Sequence, residues 1–265
     1  MDVNQKYKLL QDKLKDMGKV IIAYSGGVDS NFLLKVASDV LGQNAVAVTI
    51  YAMMHSSREI EEAKEYAKSF NVNHKIIKID DFSEKGFIEN GTKRCYYCKS
   101  AIFNIIKEYA LKNDIKYILD GTNSDDLKDY RPGLKALEEL EIVSPLKDSY
   151  LTKDEIRFLS EKLGLDTYKK PSFACLASRI PYGDKITKEK LRLVEESENY
   201  LQDLGFNQYR VRVHSDIARI ELGQDEMYKI LNSDIIKNID DKFKKIGFKY
   251  VTLDLNGYQM GNLNK

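Results

Sequence analysis

One segment, residues 25–30 with the sequence Ser-Gly-Gly-Val-Asp-Ser, constrains the fold more than any other. It follows an apolar run at residues 20–24 that is typical of a strand buried on both faces. It leads into residues 29–41, where apolar side chains recur at the spacing of an amphipathic helix. Its glycines let the backbone turn tightly towards an anion, and the helix start adds free N–H groups and the positive end of its dipole. The segment therefore predicts a strand, a phosphate-binding loop and a helix in succession.

The alternation of strand and helix continues as far as about residue 165. Apolar or β-branched runs at residues 45–51, 74–79 and 117–119 are separated by helical patterns. Such alternation predicts an α/β fold with a doubly wound parallel sheet and right-handed crossovers. A charged helix with Thr187 as its N-cap, a hairpin that turns at Ser215-Asp216, a second helix and a last strand then predict a smaller C-terminal α+β domain. The predicted boundaries are 1–170 for the α/β domain, 171–186 for an active-site loop or linker, and 187–265 for the α+β substrate-binding domain.

The composition of the chain argues against several classes of protein. The 265 residues are 43% hydrophobic and carry a formal net charge of +1. A nearly neutral chain is not expected to hold nucleic acid by charge alone. No apolar run approaches the ~18 residues of a membrane helix, and the polar first six residues lack the apolar core of a signal peptide. We therefore expect a soluble, cytoplasmic protein without a membrane partner.

The phosphate loop has neither the Walker pattern nor the dinucleotide-binding G-x-G-x-x-G. It matches the S-G-G-x-D-S signature of PP-loop enzymes, and this resemblance implies that ATP binds so that pyrophosphate leaves and AMP is transferred. A second polar segment, residues 120–126, follows the fourth predicted strand. Because ligands bind beyond the carboxyl ends of parallel strands, we expect it to face the phosphate loop, although it could be an ordinary polar loop. The expected ATP-binding residues are Ala23, Ser25, Gly26, Gly27, Val28, Asp29, Ser30, Gly121, Thr122 and Asn123, with Asp29 and Asp125 as Mg²⁺ ligands.

The three cysteines are Cys95, Cys98 and Cys175. An odd number in a chain expected to be cytoplasmic does not suggest a disulfide framework. Cys95 and Cys98 begin a helical pattern, where their spacing places both on one face and nearby basic residues favour thiolates. Zinc with a histidine as fourth ligand and ordinary buried thiols are alternatives. The histidines available to a zinc site are His55, His74 and His214, and none has paired spacing.

Together with the phosphate loop, four further segments resemble the LarE family of ATP-dependent sulfur transferases. They are residues 94–99, 120–126, 131–133 and 171–179, and the resemblance runs along nearly the whole chain to residue 258. It implies that ATP adenylates a carboxylate of pyridinium-3,5-biscarboxylate mononucleotide, which becomes a thiocarboxylate for a nickel-pincer cofactor. One departure is Gln259, where the family motif has arginine, and this weakens any contact of the tail with the acceptor phosphate.

The resemblance implies one of two routes for sulfur. In one branch, three cysteines hold a [4Fe–4S] cluster whose open iron carries a labile sulfide. In the other, a single cysteine matching Cys175 gives up its own sulfur and becomes dehydroalanine. Because this chain has all three cysteines, we favour a cluster on Cys95, Cys98 and Cys175, with Cys175 and Asp29 as catalytic residues. A [4Fe–4S]-dependent tRNA thiolase and a non-catalytic sulfur carrier are alternatives. The expected partners are the carboxylate mononucleotide, sulfide or another sulfur donor, and further copies of the chain in a homo-oligomer.

A basic row lies near the C-terminus, where Arg210, Arg212 and His214 alternate along one face of a predicted strand. A two-residue turn would place Arg212 opposite Arg219 and Arg210 opposite Glu221. The alternative to a phosphate site is a solvated face with an Arg210–Glu221 ion pair. The residues expected to receive the acceptor phosphate are Ser178, Arg179, Arg210 and Arg212.

Overall fold

The structure is a computed structural model that describes residues 1–128, 132–171, 174–231 and 233–259. The chain divides into a first unit of residues 1–84 and 93–173 and a second unit of residues 85–92 and 174–265. The segment 85–92 belongs with the second unit although its sequence neighbours on both sides belong to the first. Nothing in the sequence pattern indicated that residues 85–92 belong to the second unit.

Ten α-helices and seven strands are present in the described residues. The helices are α1 (Val3–Met17), α2 (Val28–Leu41), α3 (Ser57–Ser69), α4 (Lys85–Ile88), α5 (Arg94–Lys112), α6 (Pro132–Glu139), α7 (Pro145–Asp148), α8 (Lys153–Lys162), α9 (Lys188–Asp203) and α10 (Ser233–Ile246). The strands are β1 (Val20–Ala23), β2 (Ala45–Tyr51), β3 (Asn73–Lys78), β4 (Tyr117–Leu119), β5 (Tyr209–His214), β6 (Ile217–Leu222) and β7 (Tyr250–Leu253). Among the described helices, none is long and apolar enough to cross a bilayer.

The four strands of the first unit form a parallel sheet in the order β3-β2-β1-β4. The strand order reverses between β1 and β4, which are direct neighbours. In open α/β sheets, ligands bind outside the carboxyl ends of the strands at such a switch point. The loops that follow β1 and β4 therefore meet at the edge where a ligand is expected.

The side chains of β1 alternate between two hydrophobic cores on opposite faces of this sheet. Val20 and Ile22 lie in a core with α1, α2 and α8, whereas Ile21 lies in a core with α5 and α6. Both faces are thus covered by helices, which explains why the strand is apolar at successive positions. The predicted doubly wound α/β fold is confirmed.

The second unit contains a three-stranded mixed sheet in the order β5-β6-β7, with β5 antiparallel and β7 parallel to β6. The predicted hairpin and its register are confirmed, since Arg212 lies opposite Arg219 and Arg210 opposite Glu221. Helix α9 begins as predicted with Thr187 as N-cap, whose side chain accepts a hydrogen bond from the N–H of Lys190. This capping satisfies one of the N–H groups that a helix start leaves unpaired.

Candidate active site

The loop after β1 has a backbone conformation that requires glycine at one position. Gly26 has a φ of +71°, and a Cβ there would lie 2.8 Å from the Cβ of Ala63 on α3. Left-handed φ values disfavour side chains, and this contact leaves no room for one. Gly27 follows as the extended N-cap of α2. The two glycines therefore turn the chain sharply from the end of β1 into the helix.

The N-terminus of α2 presents backbone amides together with two hydroxyl groups. Within the described residues, no side chain caps this helix end. The Oγ atoms of Ser25 and Ser30 are 3.1 Å apart, and Ser30 Oγ donates to the carbonyl of Gly27 at 3.2 Å. Uncapped N–H groups and the helix dipole favour an anion at this point. The loop has the donor set that a phosphate group requires.

The structure brings the second predicted loop against the same helix end. A Cβ on Gly121 would lie 3.1 Å from the backbone nitrogen of Ser30, so this glycine permits the close approach. Asn123 is buried, and its Nδ2 donates to Asp29 Oδ1 at 3.4 Å. Asp120 fixes the loop by accepting hydrogen bonds from the hydroxyls of Thr122 and Ser144. Backbone and side-chain groups from both loops thus surround one point at the carboxyl edge of the sheet.

Lys153 also lies at this point, and the sequence analysis missed it. Its ammonium nitrogen is 2.6 Å from Asp29 Oδ2, and its backbone N–H donates to Asp125 Oδ2 at 2.8 Å. Lys153 is the first residue of α8, where Thr152 and Glu155 form a capping box. The Thr-x-x-Glu spacing of this box marks a helix start in the sequence. That signal could have placed Lys153 at a helix N-terminus, although not beside Asp29.

A buried network holds Tyr24, the residue immediately before the phosphate loop. Its hydroxyl donates to Asn31 Oδ1 at 2.6 Å, and its carbonyl accepts from the hydroxyl of Thr49 at 2.7 Å. Because Thr49 has used its single proton, His74 Nε2 must donate to Thr49 Oγ1 across 2.8 Å. Burial lowers the pKa of His74 and raises that of Tyr24, so both groups stay neutral near pH 7. The base of the loop is therefore fixed by neutral hydrogen bonds.

Cys95 and Cys98 lie in the first turn of α5, in the first unit. Cys95 is exposed, Cys98 is half-buried, and both carry thiols rather than a disulfide. Helix α6 crosses closely, since a Cβ on Gly133 would lie 2.8 Å from Lys99 Cδ and 3.4 Å from the carbonyl oxygen of Cys95. Lys99 Nζ in turn is 3.9 Å from Asp120 Oδ2. The helix start that carries these cysteines is thus linked through Lys99 to the loop of residues 120–126.

Cys175 belongs to the second unit, where it is a half-buried thiol that precedes a 3-10 turn at Leu176–Arg179. Within the described part of either unit, no three His, Cys, Asp or Glu side chains come together as a metal site. Three residues of the motifs that resemble the LarE family lie outside the described residues. They are Arg131, Ser172 and Phe173.

Arg210 and Arg212 of the basic row are buried and His214 is half-buried, which corrects the solvated face considered from the sequence. Glu221 is fully buried and pairs with Arg212, not with Arg210, through contacts of 3.0 and 2.8 Å. Arg212 reaches this carboxylate diagonally across the hairpin, while the Arg210 guanidinium lies 4.8 Å from the centre of the Tyr258 ring. Burial, followed by the charge of Arg179, lowers the pKa of Arg210. The assignment of these arginines to the acceptor phosphate stays a prediction.

Comparisons with known proteins bear on the whole chain. A family model described as a PP-loop domain matches residues 1–131. An uncharacterized protein of Synechocystis sp. is 41% identical over 263 residues, which cover 99% of this chain and 98% of that protein. An uncharacterized protein of Methanocaldococcus jannaschii is 36% identical over 252 residues, 94% of each chain.

A further relative has a named activity. The pyridinium-3,5-bisthiocarboxylic acid mononucleotide synthase of Lactiplantibacillus plantarum is 35% identical over 254 residues, 95% of this chain and 91% of the synthase. The matched region spans nearly the full length of both proteins, so it takes in both units of this chain. The chain therefore belongs to the LarE family of PP-loop ATP pyrophosphatases and is an enzyme of the ATP-dependent sulfurtransferase class.

Proposed function

We propose that this enzyme uses ATP to adenylate a carboxylate of pyridinium-3,5-biscarboxylate mononucleotide and then replaces a carboxylate oxygen with sulfur. The observation that carries the proposal is the N-terminus of α2, where the glycine loop, two serine hydroxyls and Gly121 converge. The name of the Lactiplantibacillus plantarum synthase supports the choice of acceptor.

The phosphate loop acts on the leaving group in the first step. The acceptor carboxylate attacks the α-phosphorus of ATP, a new P–O bond forms, and the bond to the β-phosphate oxygen breaks. Negative charge then grows on pyrophosphate, which the amides after Gly26 and the hydroxyls of Ser25 and Ser30 stabilise. Donors that are already in position need no reorganisation as the charge develops. The remaining residues proposed to contact ATP are Ala23, Gly27, Val28, Asp29, Gly121, Thr122 and Asn123.

Asp29 and Asp125 are the carboxylates proposed to hold Mg²⁺ against the phosphates. Both have the hard oxygen ligands that Mg²⁺ prefers. Both carboxylates also contact Lys153: Asp29 accepts from its side-chain ammonium group and Asp125 accepts from its backbone N–H. The Lys153 ammonium lies beside Asp29 at the helix end, within reach of a phosphate bound there. We include Lys153 in the nucleotide site as a cation that shares the phosphate charge with Mg²⁺.

Sulfur enters in the second step. A sulfur nucleophile adds to the carbonyl carbon of the acyl adenylate, a C–S bond forms, and AMP leaves with the former carboxylate oxygen. Thiolates and sulfide are strongly nucleophilic near neutral pH. With sulfide as the nucleophile this step gives the thiocarboxylate directly. With Sγ of Cys175 it gives a thioester, and the thiocarboxylate leaves as the Cα proton is lost and the Cβ–Sγ bond breaks, so that Cys175 becomes dehydroalanine.

The cysteines fit the donor set of the proposed [4Fe–4S] cluster. All three carry thiols, and Cys95 and Cys98 share one turn of α5. Thiolates are the usual ligands of such clusters, and when bound the cluster supplies an open iron for a labile sulfide. Cys95, Cys98 and Cys175 would hold it. The alternative is that Cys175 supplies its own sulfur without a cluster.

Iron analysis distinguishes the two sources of sulfur. Protein prepared without oxygen is expected to contain about four irons per chain, and Cys95→Ser or Cys98→Ser should lose both iron and thiocarboxylate formation. Acceptor-dependent release of pyrophosphate should persist in these variants because adenylation does not need sulfur. Active protein without iron, in which Cys175 becomes dehydroalanine during one turnover, would contradict the cluster and establish the alternative.

Replacing Gly26 tests the phosphate loop, and Gly18 provides a matched control. Both have left-handed φ values, +71° and +73°, but only Gly26 has a neighbour within 4 Å of an added Cβ. Both alanine variants pay a strain of about 1–2 kcal/mol, whereas Gly26→Ala must also displace α3. We expect Gly26→Ala to raise the KM for ATP at least about tenfold, as a loss of 1.4 kcal/mol would. Equal KM values in the two variants would contradict this account of the loop.

Lys153→Met tests the cation beside Asp29, with Lys162→Met at the other end of α8 as control. Charged hydrogen bonds contribute about 1.5–3 kcal/mol, so the Lys153 variant should bind ATP at least tenfold more weakly by calorimetry in the presence of Mg²⁺. The Lys162 variant should bind like the unmodified enzyme. Unchanged ATP affinity after Lys153→Met would mean that this residue only pairs with Asp29.

A further inference from the structure

A buried arginine side chain holds the backbone of Cys175. Arg179 is 1% exposed, and its Nη1 atom donates to the carbonyl oxygens of Ala174 at 2.5 Å and Cys175 at 3.2 Å. The same nitrogen lies 2.7 Å from Ser178 Oγ. The carbonyl of Cys175 also accepts the N–H of Ser178 at 2.9 Å, which closes the 3-10 turn. The Arg179 guanidinium thus contacts Cys175 itself, the residue before it and a residue of the turn after it.

The other edge of the same guanidinium is anchored to the second unit. Its Nε and Nη2 atoms donate to the two carboxylate oxygens of Glu198 on α9, each at 2.8 Å. Glu198 Oε1 also accepts the backbone N–H of Val211 on β5 at 2.9 Å. A planar guanidinium held by two parallel hydrogen bonds keeps a fixed orientation. The Cys175 backbone is therefore tied through Arg179 to a helix and to the mixed sheet.

This arrangement directs the N–H groups of Arg179 at acceptors within the protein. A guanidinium has five N–H groups, and both Nη atoms and Nε already face a carboxylate, carbonyls or a hydroxyl. Breaking a buried ion pair on one side leaves an uncompensated charge, so the pair is not readily exchanged for a ligand. Arg179 is thus poorly placed to receive the acceptor phosphate, the role expected from the sequence.

We propose that Arg179 is a positioning residue that fixes the backbone of Cys175 and hence the place of its sulfur. The inference rests on the proposed function, in which Cys175 bears or holds the sulfur that is transferred. Reacting atoms must lie about 3–3.5 Å apart, and a misplacement of 1 Å costs about a hundredfold in rate. A rigid turn restricts the sulfur to motion about its side-chain bonds.

The far end of the same loop has a separate anchor, which confines the effect of a change at Arg179. Asn90 is fully buried, and its Nδ2 atom donates to the carbonyls of Pro181 at 2.7 Å and Asp184 at 2.8 Å. The N–H of Gly183 donates to the carbonyl of Asn90 at 3.1 Å. Residues 180–186 should therefore stay ordered when Arg179 is replaced.

Arg179→Lys is the direct test, because lysine keeps the charge beside Glu198 but cannot also hold the carbonyls. Arg192→Lys is the control, since Arg192 forms exposed pairs with Glu189 and Glu196 on the same helix. Hydrogen–deuterium exchange of the full chain, read by mass spectrometry, should be at least tenfold faster at residues 174–179 in the Arg179 variant. Exchange at residues 180–186, and everywhere in the control, should be unchanged.

Kinetics separate positioning from phosphate binding. In Arg179→Lys we expect thiocarboxylate formation to slow ten- to a hundredfold, while the KM for the mononucleotide and acceptor-dependent pyrophosphate release change less than twofold. A raised KM with unchanged exchange would overturn the proposal and make Arg179 a phosphate ligand. Should Arg179→Lys not fold, Glu198→Gln, which removes the charged anchor but keeps an acceptor for Val211, must show the same faster exchange at 174–179. If the unmodified enzyme formed no thiocarboxylate, the proposed function would fail, but the exchange data would still decide whether Arg179 fixes the turn.

Discussion

The first unit depends on one constraint, the close approach of three backbone segments at the N-terminus of α2. Gly26 turns with a left-handed φ against Ala63, and a Cβ added to Gly121 would lie only 3.1 Å from the backbone nitrogen of Ser30. Because β1 and β4 are neighbours in a parallel sheet, both loops leave the same edge. The N–H groups at this helix end are what a phosphate needs.

The ion pairs of the two units differ in burial, and this difference fits two functions, ligand binding and the fixing of local structure. Around the phosphate loop, Asp29 and Lys153 form a partly exposed pair, so their charges can be shared with a nucleotide and its metal ion. In the second unit, the pairs of Arg179 with Glu198 and of Arg212 with Glu221 are buried and bidentate. Buried pairs of good geometry fix structure more than they supply binding energy. We infer that the first set serves ATP and that the Arg179 pair serves the geometry of Cys175.

Local pattern was enough to predict much of the fold. The alternation of strands and helices gave the parallel sheet, Thr187 was recognised as an N-cap, and the Ser215-Asp216 turn gave the register of the hairpin. Each of these three features depends on residues that are close in sequence or on a regular spacing of apolar residues. The convergence of the loops after β1 and β4 followed from a topological rule alone.

The parts that could not be predicted depend on contacts between distant residues. Lys153 reaches Asp29 across 124 positions in the sequence, and no spacing rule connects them. The hairpin register places Arg210 opposite Glu221, yet the carboxylate accepts hydrogen bonds from Arg212 and Arg219, so register alone does not select the partner. The membership of residues 85–92 in the second unit likewise leaves no periodic signal in the sequence.

The proposed first step is the attack of an acceptor carboxylate oxygen on the α-phosphorus of ATP. Its most direct test uses the mononucleotide labelled with ¹⁸O in its carboxylates, followed by mass spectrometry of the AMP that is released. We expect each AMP to carry one ¹⁸O atom taken from the acceptor and to be formed together with one thiocarboxylate and one pyrophosphate. Unlabelled AMP, or ADP in its place, would contradict adenylation of the carboxylate and with it the proposed route to the thiocarboxylate.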